Sequence, residues 1–430
     1  MGNWGKKEYV PVIIVILLVV FIAYSSRPTT ELVEDKGNDI GVQTVTIGVI
    51  DQYNSEYAPE TSEYYSFIAE QAERDIIEYS NQQNSGFEFD VVFQPVDEYG
   101  EMITVVQDCR DNGTNLLVGF PNNLALDLCM SLAVSDDDMI FISIGSAQPF
   151  GFTWDDTVFR LHPPRTQRTK TFAEIIYELG VRAVIPVTDS VNYEVSAFNE
   201  ELRSLGGHVY DPVEYSVEYG EWENYKPEIE SIDINFSQLN NYVNNASRFY
   251  PEEEIAILYF VYSCCLPQLL DMCQIYPDII GVQWYSYYET DQCITELEKL
   301  DVSSEVRALS LSPNIKDTTL SGSICQKFRD EFGRDMSLIE ANIYDGIWIL
   351  ALSVIAEDST EILVLKDRIP TTAAGYQGLS GLFELDEVGD RRGINYNVWA
   401  YDRIENKTKR VLYGVYDYEA GKVNWIKPYN

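Results

Sequence analysis

The chain has 430 residues, of which 45% are apolar, so it is long enough for two or three domains with buried cores. Its 69 acidic and 30 basic residues give a formal net charge of −39. This charge would repel phosphate backbones and anionic lipid surfaces, which excludes nucleic acid as a partner, and it predicts an acidic, solvated surface suited to a salty or extracellular setting.

The N-terminal segment predicts export. Two lysines precede an apolar run over residues 10–24, which is short for a membrane span of about 30 Å but suits the apolar core of a signal peptide. Residues 1–25 are therefore either a signal peptide, cleaved near the small-x-small pattern at 23–25, or an uncleaved membrane anchor. In both cases the rest of the chain is extracytoplasmic, at the cell surface or in the periplasm. Residues 26–43 are polar and predict a linker.

From Val45 onward, short apolar runs alternate with amphipathic stretches. The runs that predict strands are VTIGVI (45–50), FDVVF (89–93), NLLVGF (115–120) and MIFISI (139–144). Helical spacing of apolar residues predicts a helix after each of the first three, near 64–76, 102–109 and 124–132. This alternation is typical of a parallel sheet covered by helices. Cys109 and Cys129 flank the third strand and could pair in an exported protein.

The same alternation restarts after residue 164. Predicted strands are AVIPV (183–187), GHVYDPVEY (207–215), IAILYFV (255–261), DIIGVQW (278–284) and RALSLS (307–312). Predicted helices lie at 193–205, near 237–249, up to residue 273, near 319–333 and at 339–356, before a last hairpin formed by 395–402 and 410–418. The pattern predicts two similar lobes, the first from 44–160 plus 313–375 and the second from 161–312 plus 376–430.

Six segments occur in an order and spacing that resemble a known family. They are LVGFPNN (117–123), SIGSAQP (143–149), VFRLHPP (158–164), the turn from Asp189 to Tyr193, IYDGIWILALSV (343–354) and GLSGLFELDEVGDR (378–391). The family is the type I periplasmic substrate-binding proteins, and the chain is similar in particular to the branched-chain amino acid (Leu/Ile/Val)-binding proteins of ABC transporters. The resemblance covers nearly all of residues 44–400.

The resemblance implies an α/β fold of two doubly wound, Rossmann-like parallel-sheet lobes joined by three crossover strands. It also implies an extracytoplasmic solute-binding protein that closes around a small amino acid-like ligand and delivers it to an ABC permease. A membrane-anchored sensory or ligand-recognition module is the alternative. In the family, a segment like 378–391 forms the third crossover and the start of a hairpin packed on the second lobe, and Arg160 is expected to brace the first crossover.

Two loops of the first lobe are candidate ligand contacts. Helix N-termini beyond the carboxyl ends of parallel strands present unpaired N–H groups, which suit a ligand carboxylate. The resemblance implies that the loops with Asn122 and Asn123, and with Gly145, Ser146 and Ala147, contact the carboxylate and ammonium groups. Related proteins tend to have serines in the first loop and a small-small-Thr run in the second. Asn122 also suits a helix N-cap, a role compatible with ligand binding.

Aromatic residues are the further candidates. Tyr193 occupies the place of a family Tyr-Gly pair, with Glu194 replacing the glycine, and Tyr57 lies beyond the first strand. Trp284 and Tyr285 end a strand at which leucine-type binders place an acid for the ammonium, whereas this chain has no carboxylate there until Glu289. Such a cleft favours an apolar or aromatic ligand body, or a cation held by ring faces. The alternative for each aromatic side chain is packing in a core or coating the surface.

Asp345 is the last candidate. In several relatives of this fold a corresponding acid approaches the ligand amine, but an acid in the first turn of a helix is favourable without any ligand. The sequence predicts neither catalysis, a cofactor nor a metal site. It has only two histidines and no nucleophile, zinc or nucleotide motif, and runs such as 136–138 are expected to be solvated acids.

Overall fold

The computed structural model describes ten ranges of the chain: 42–51, 59–96, 99–136, 138–146, 156–188, 193–223, 226–260, 277–286, 309–404 and 407–428. The predicted signal peptide or anchor, most of the linker and the helix predicted before residue 273 lie outside these ranges. Strand β1 begins at Gln43, two residues before the predicted start of the fold at Val45.

Five parallel strands form the first sheet, in the order β2-β1-β3-β4-β5. Their bounds are Gln43–Asp51 (β1), Phe87–Pro95 (β2), Leu116–Gly119 (β3), Ile140–Ser143 (β4) and Val158–Arg160 (β5). The inner strands β3 and β4 are buried at every position because helices cover both faces of the sheet.

The helices divide between the two faces of this sheet. Those that follow its strands are α1 (Pro59–Gln83), α2 (Met102–Asp111) and α3 (Asn123–Asp136). Later parts of the chain return as α8 (Ile324–Phe332), α9 (Leu338–Glu357) and α10 (Ile362–Gly375). Residues of α1, α8, α9 and α10 form one core with alternate strand residues, and residues of α2 and α3 form a second core on the opposite face. The sheet is therefore doubly wound, as predicted.

The second sheet repeats the plan and adds an antiparallel strand. Its order is β11-β10-β6-β8-β9, with β7 beside β6. The strands are Ala183–Thr188 (β6), His208–Val209 (β7), Val213–Glu223 (β8), Lys226–Ile234 (β9), Ile255–Phe260 (β10) and Gln283–Ser286 (β11). The helices are Arg165–Glu178 (α4), Tyr193–Ser204 (α5), Phe236–Ala246 (α6) and Pro277–Ile280 (α7). Of the strands described in this sheet, β9 alone runs antiparallel, as the second arm of a hairpin with β8.

A third, antiparallel sheet ends the chain and packs with the second lobe. Its order is β12-β15-β16-β17, with bounds Ser310–Pro313, Tyr396–Ile404, Lys407–Asp417 and Lys422–Trp425. The predicted last hairpin is β15 and β16, and β17 extends it by one strand. Residues of this sheet share a core with α4, α5, β6 and β10.

Three crossovers join the two lobes. We define them as 158–164, 310–318 and 376–391, with a two-stranded hairpin of Gln377–Gly378 (β13) and Gly381–Leu382 (β14) in the third. The guanidinium of Arg160 in the first crossover contacts the carboxylate of Asp390 in the third, and both side chains are buried. Arg160 therefore braces the first crossover, as the sequence predicts.

The third crossover itself packs on the first lobe. Its Leu379 and Phe383 belong to the core of the first lobe, whereas the hairpin of β15 and β16 that follows it shares a core with the second lobe, as the resemblance implies. The guanidinium carbon of the buried Arg391 lies 3.8 Å from the centre of the Phe383 ring. The predicted lobe division at residue 375 stays a prediction, and the first core extends past it.

The apolar helix α9 is long and hydrophobic enough to span a membrane by length and composition, but 83% of its apolar window is buried inside the protein. It is the central helix of the first core. Gly346 allows its close approach to the sheet, because a Cβ there would lie 2.9 Å from a methyl group of Ile142 and 3.0 Å from one of Val118.

Two local predictions differ from the structure, and one helix was not predicted. The run 278–284 is a short helix followed by a strand, because Pro277 suits the first turn of a helix and the strand begins only at Gln283. Helix α10 was not predicted and carries Pro370 in its interior. Cys109 and Cys129 are free, buried thiols in the core beside α2 and α3 and do not pair. Burial raises the pKa of the Cys129 thiol to about 12.

Candidate functional site

The carboxyl edge of the first sheet contains a topological switch point. From β1 the chain moves outward to β2, then returns to β3 on the other side of β1, so the connections after β1 and β3 lead to opposite faces. In open α/β sheets the crevice at this point is where ligands bind. The ends of β1, β3 and β4 therefore define the candidate site.

A strained turn follows β3. Phe120 has a φ of 58°, which is left-handed backbone that a non-glycine residue rarely adopts. Its ring is buried and lies 4.9 Å from the ring of Phe141. Such outliers persist only where the surroundings fix them, and they concentrate at binding sites. The turn aims Pro121, Asn122 and Asn123 toward the edge of the sheet and starts α3 there.

The loop after β4 lies against this turn. The hydroxyl of Ser143 donates to the carbonyl oxygen of Phe120 at 3.0 Å, and the hydroxyl of Ser146 donates to Oδ1 of Asn123 at 2.7 Å. Gly145 permits the approach, because a Cβ there would lie 2.0 Å from the carbonyl oxygen of Pro121. The structure thus brings together Asn123, Gly145 and Ser146, all predicted site residues.

Asn122 caps α3. Its Oδ1 accepts a hydrogen bond from the backbone N–H of Ala125 at 3.0 Å, which is the N-cap arrangement. The first turn of α3 carries no acidic residue, so the partial positive charge of the helix N-terminus is not offset there. Leu124 in the same turn is 54% exposed and adds an apolar surface beside these polar groups.

Tyr193 occupies the corresponding place in the second sheet. It is the first residue of α5, beyond the carboxyl end of β6, and its side chain is half-buried. Burial raises the pKa of its hydroxyl, and the nearby Arg165 opposes the shift. Its ligand contact stays a prediction. Tyr57 and Ala147 lie outside the described residues.

Trp284 is a core residue, contrary to its proposed place in the cleft. Its side chain is fully buried in the second lobe, and its indole N–H donates to the carbonyl oxygen of Ile279 at 2.9 Å. Tyr285 is also fully buried, in the core on the other face of the sheet, with its ring 6.3 Å from that of Phe172. Both faces of β11 are covered, so two successive side chains enter two cores. The proposed site therefore excludes both residues.

Asp345 is a buried structural residue. Helix α9 begins at Leu338 with a capping box between Ser337 and Glu340, so Asp345 lies two turns inside it and not in its first turn. Its carboxylate accepts hydrogen bonds from the Tyr376 hydroxyl and the Leu379 N–H, each at 2.9 Å. It is fully buried beneath the third crossover, which explains the contacts without a ligand.

A buried arginine, Arg391, is linked to Asp345 through Ser380. Ser380 receives a hydrogen bond from Arg391 at 2.7 Å and lies 3.4 Å from the Asp345 carboxylate, so it links the two charges. Burial raises the pKa of Asp345 to about 6, although the Leu379 and Tyr376 hydrogen bonds and the charge of Arg391 oppose this. Burial likewise lowers the pKa of Arg391 to about 9. The hydrogen bonds of Asp345 to residues 376–380, and of Arg391 to Ser380, fix the third crossover to α9.

Asp51 and Asn342 are polar residues at the candidate site that the sequence analysis did not assign. Asp51 ends β1 and is fully buried, and the hydroxyl of Ser62 in α1 donates to its carboxylate. Asn342 in α9 is fully buried and donates to the carbonyl oxygen of Ile144 at 2.8 Å. A charged residue that ends an otherwise apolar strand was the signal for Asp51. No sequence signal marked Asn342.

A cavity of about 550 Å³ lies elsewhere, along the second and third crossovers, and its lining includes Asn314, Lys316 and Ser380. No predicted site residue from the described ranges lines it. Within those ranges no group of His, Cys, Asp and Glu side chains is arranged to hold a metal ion.

Solved structures share this architecture over most of the chain. An ABC transporter substrate-binding protein from Desulfitobacterium hafniense is 17% identical, with a TM-score of 0.60 over 86% of this chain and 100% of its own. An ABC-type branched-chain amino acid transporter protein from Rhodopseudomonas palustris is 14% identical, with a TM-score of 0.61 over 86% of this chain and 96% of its own. A leucine-binding protein from Thermotoga maritima is 15% identical, with a TM-score of 0.55 over 87% of this chain and 99% of its own.

No known family profile matches the sequence, and neither does any curated protein. At these identities the likeness establishes the fold. The chain has the two-lobed fold of the type I periplasmic binding proteins, and the fold predicted from the six sequence segments is confirmed.

Proposed function

We propose that this chain is an extracytoplasmic solute-binding protein of an ABC importer, which closes its two lobes around a small amino acid-like ligand. The observation that carries the proposal is the hydrogen bond between Ser146 and Asn123, which joins the loops after β3 and β4 at the switch point of the first sheet. The fold shared with ABC transporter substrate-binding proteins supports it.

The proposed site in the first lobe offers one polar and one apolar surface. Asn122, Asn123, Gly145 and Ser146 hold a carboxylate together with the N–H groups of the first turn of α3. Leu124 contacts an apolar ligand side chain. Tyr193 approaches from the second lobe, and Tyr57 and Ala147 complete the proposed contacts. Because the contacts divide between lobes, only the closed state makes them all, and ligand binding stabilises that state.

The proposed partners are an ABC permease and, if the N-terminal segment is retained, the membrane. The closed protein delivers its ligand to an ABC permease, and residues 1–25 either direct export and are cleaved or anchor the protein to the membrane. The protein itself catalyses no reaction. The leucine-binding and branched-chain amino acid proteins that share the fold support an apolar amino acid as the ligand.

Binding is tested by titrating the purified protein with the twenty L-amino acids and their amides in a calorimeter. At least one should bind with a Kd in the micromolar range or tighter and raise the melting temperature by mass action. Gly145→Ala should abolish binding. The Cβ of an alanine at this position would lie 2.0 Å from the Pro121 carbonyl oxygen, so the substitution should push the two loops apart.

Gly100→Ala is the matched control, since a Cβ at Gly100 meets no atom within 4 Å. Its affinity should equal that of the wild type. A panel in which no member binds would contradict the proposed function. Binding that is unaffected by Gly145→Ala would move the site away from these two loops.

A further inference from the structure

Asp51 lies in the centre of the candidate site. The pairing of Val49 with Val118 places Asp51 at the level of Phe120, two residues farther along both strands. The pairing of Gly119 with Ser143 places Phe120 at the level of Ile144. Neighbouring strands are about 4.8 Å apart, so Asp51 is one strand from the turn that holds Asn123 and two strands from the loop that holds Ser146.

The Asp51 side chain lies on the opposite face of the sheet from α3. Ile47 and Val49, the preceding alternate residues of β1, pack in the core with α1 and α9, and Asp51 continues this face. The hydrogen bond from Ser62 of α1 confirms the direction of its carboxylate. The sheet edge therefore has a negative group on the α1 and α9 side and the positive end of helix α3 on the other.

An independent observation on the same face points to a missing hydrogen-bond donor. Asn342 uses its amide N–H on the Ile144 carbonyl, but its Oδ1 is buried and accepts no hydrogen bond from any residue that the structure describes. Buried polar atoms without a partner are rare in folded proteins, because each costs free energy. Since Ile144 ends the row that contains Asp51, this acceptor lies at the same edge of the sheet.

The geometry points to Asp51 as the residue that binds the cationic amine of the ligand, with the Asn342 amide oxygen as a second acceptor. This inference rests on the proposed function and makes the ligand an α-amino acid, not a simple carboxylic acid. One strand spacing separates Asp51 from the turn that holds Asn123, which suits two charges joined through a single carbon atom. A buried carboxylate binds an ammonium group strongly because water does not compete.

The test compares ligand pairs that differ only in the amine. L-Leucine is paired with 4-methylpentanoate, and L-phenylalanine with 3-phenylpropanoate, and each is titrated into the full chain in a calorimeter. The wild type should bind the amino acid of at least one pair about 100-fold more tightly than its amine-free partner, the scale of a buried charged contact. Asp51→Asn should reduce that preference to less than about fivefold, mainly by weakening the amino acid.

Ser62→Ala is the control, because it removes the neighbour of the carboxylate and keeps the charge; the preference should stay above about tenfold. An amine preference that persists in Asp51→Asn overturns the inference and leaves the proposed function intact. A wild type that binds both members of a pair equally overturns it without any variant, so the test holds even if Asp51→Asn does not fold. A wild type that binds no amino acid at all contradicts both.

Discussion

Arg391→Met should lower the free energy of unfolding by about 3–5 kcal/mol, because it leaves several buried hydrogen-bond acceptors without their donor and removes the positive charge near the buried Asp345 carboxylate. The Arg391 side chain is fully buried, and it donates to the carbonyl oxygens of Ser380 and Leu382 at 2.9 and 2.8 Å. Methionine fills much of the volume but cannot compensate the charge of Asp345. Urea unfolding followed by circular dichroism measures the difference.

Arg392→Met is a matched control for this experiment. Arg392 is the next residue, its side chain is 48% exposed, and its ion pair with Glu384 is 3.5 Å long and mostly solvated. Exposed pairs contribute at most about 1 kcal/mol. If Arg391→Met lowered the free energy of unfolding no more than Arg392→Met, the third crossover would not depend on the buried Arg391 side chain. The double variant Asp345→Asn with Arg391→Met should cost less than the sum of the two single variants, because the two charges interact.

Trp284→Ala should destabilise the protein by about 3–5 kcal/mol, the range for removing a large aromatic side chain from a core. The side chain lies within the second core, 6.1 Å from the ring of Tyr259, and its loss would leave a cavity and an unpaired carbonyl at Ile279. Among molecules that remain folded, ligand affinity should change less than about threefold, because Trp284 does not touch the proposed site.

Trp425→Ala provides the comparison, since Trp425 is only partly buried and donates to the Glu178 carboxylate at an exposed position. Trp425→Ala should lower the free energy of unfolding by clearly less than Trp284→Ala does. The opposite result would be a Trp284→Ala protein that has the wild-type unfolding midpoint and binds no ligand. It would mean that Trp284 contacts the ligand in the cleft. Calorimetric titration and thermal unfolding on the same samples separate the two outcomes.

The regular alternation of strands and helices was predictable because the local spacing of apolar residues indicates each element. The parallel strands are buried on both faces, so runs such as MIFISI and AVIPV are continuously apolar and easy to recognise. The hairpin of β8 and β9 escaped prediction beyond residue 215. Its sequence, from Val213 to Ile234, mixes acidic and aromatic residues without a long apolar run, and among the described strands β9 pairs with β8 alone. Pro370 concealed α10, because proline in a helix interior removes a hydrogen bond.

The candidate site was predictable where it consists of loops that directly follow strands. Asn123, Gly145 and Ser146 come together because the ends of β3 and β4 are adjacent, which the strand order alone dictates. The sequence could not separate an aromatic residue in the cleft from one in a core. Trp284 and Tyr285 precede the end of β11 by one or two residues, and that small offset decides between the two environments.

Long-range contacts were the other part that the sequence could not supply. The partners of Asp345 are residues 376 and 379–380, more than thirty positions away, so the acid looked available to a ligand. Asn342 had the same difficulty, since its contact with Ile144 spans 198 positions. Helix α9 is a continuous apolar sequence in which polar residues have meaning only through the distant segments that cover them.

The most direct test of the proposed function is to measure ligand-induced closure of the full chain by small-angle X-ray scattering. With the amino acid that binds best in calorimetry, the radius of gyration should fall on saturation, and Gly145→Ala should show no change at the same ligand concentration. The amine-free partner of that amino acid serves as the negative control. A radius of gyration that stays constant while calorimetry shows the site to be saturated would contradict closure of the two lobes around the ligand.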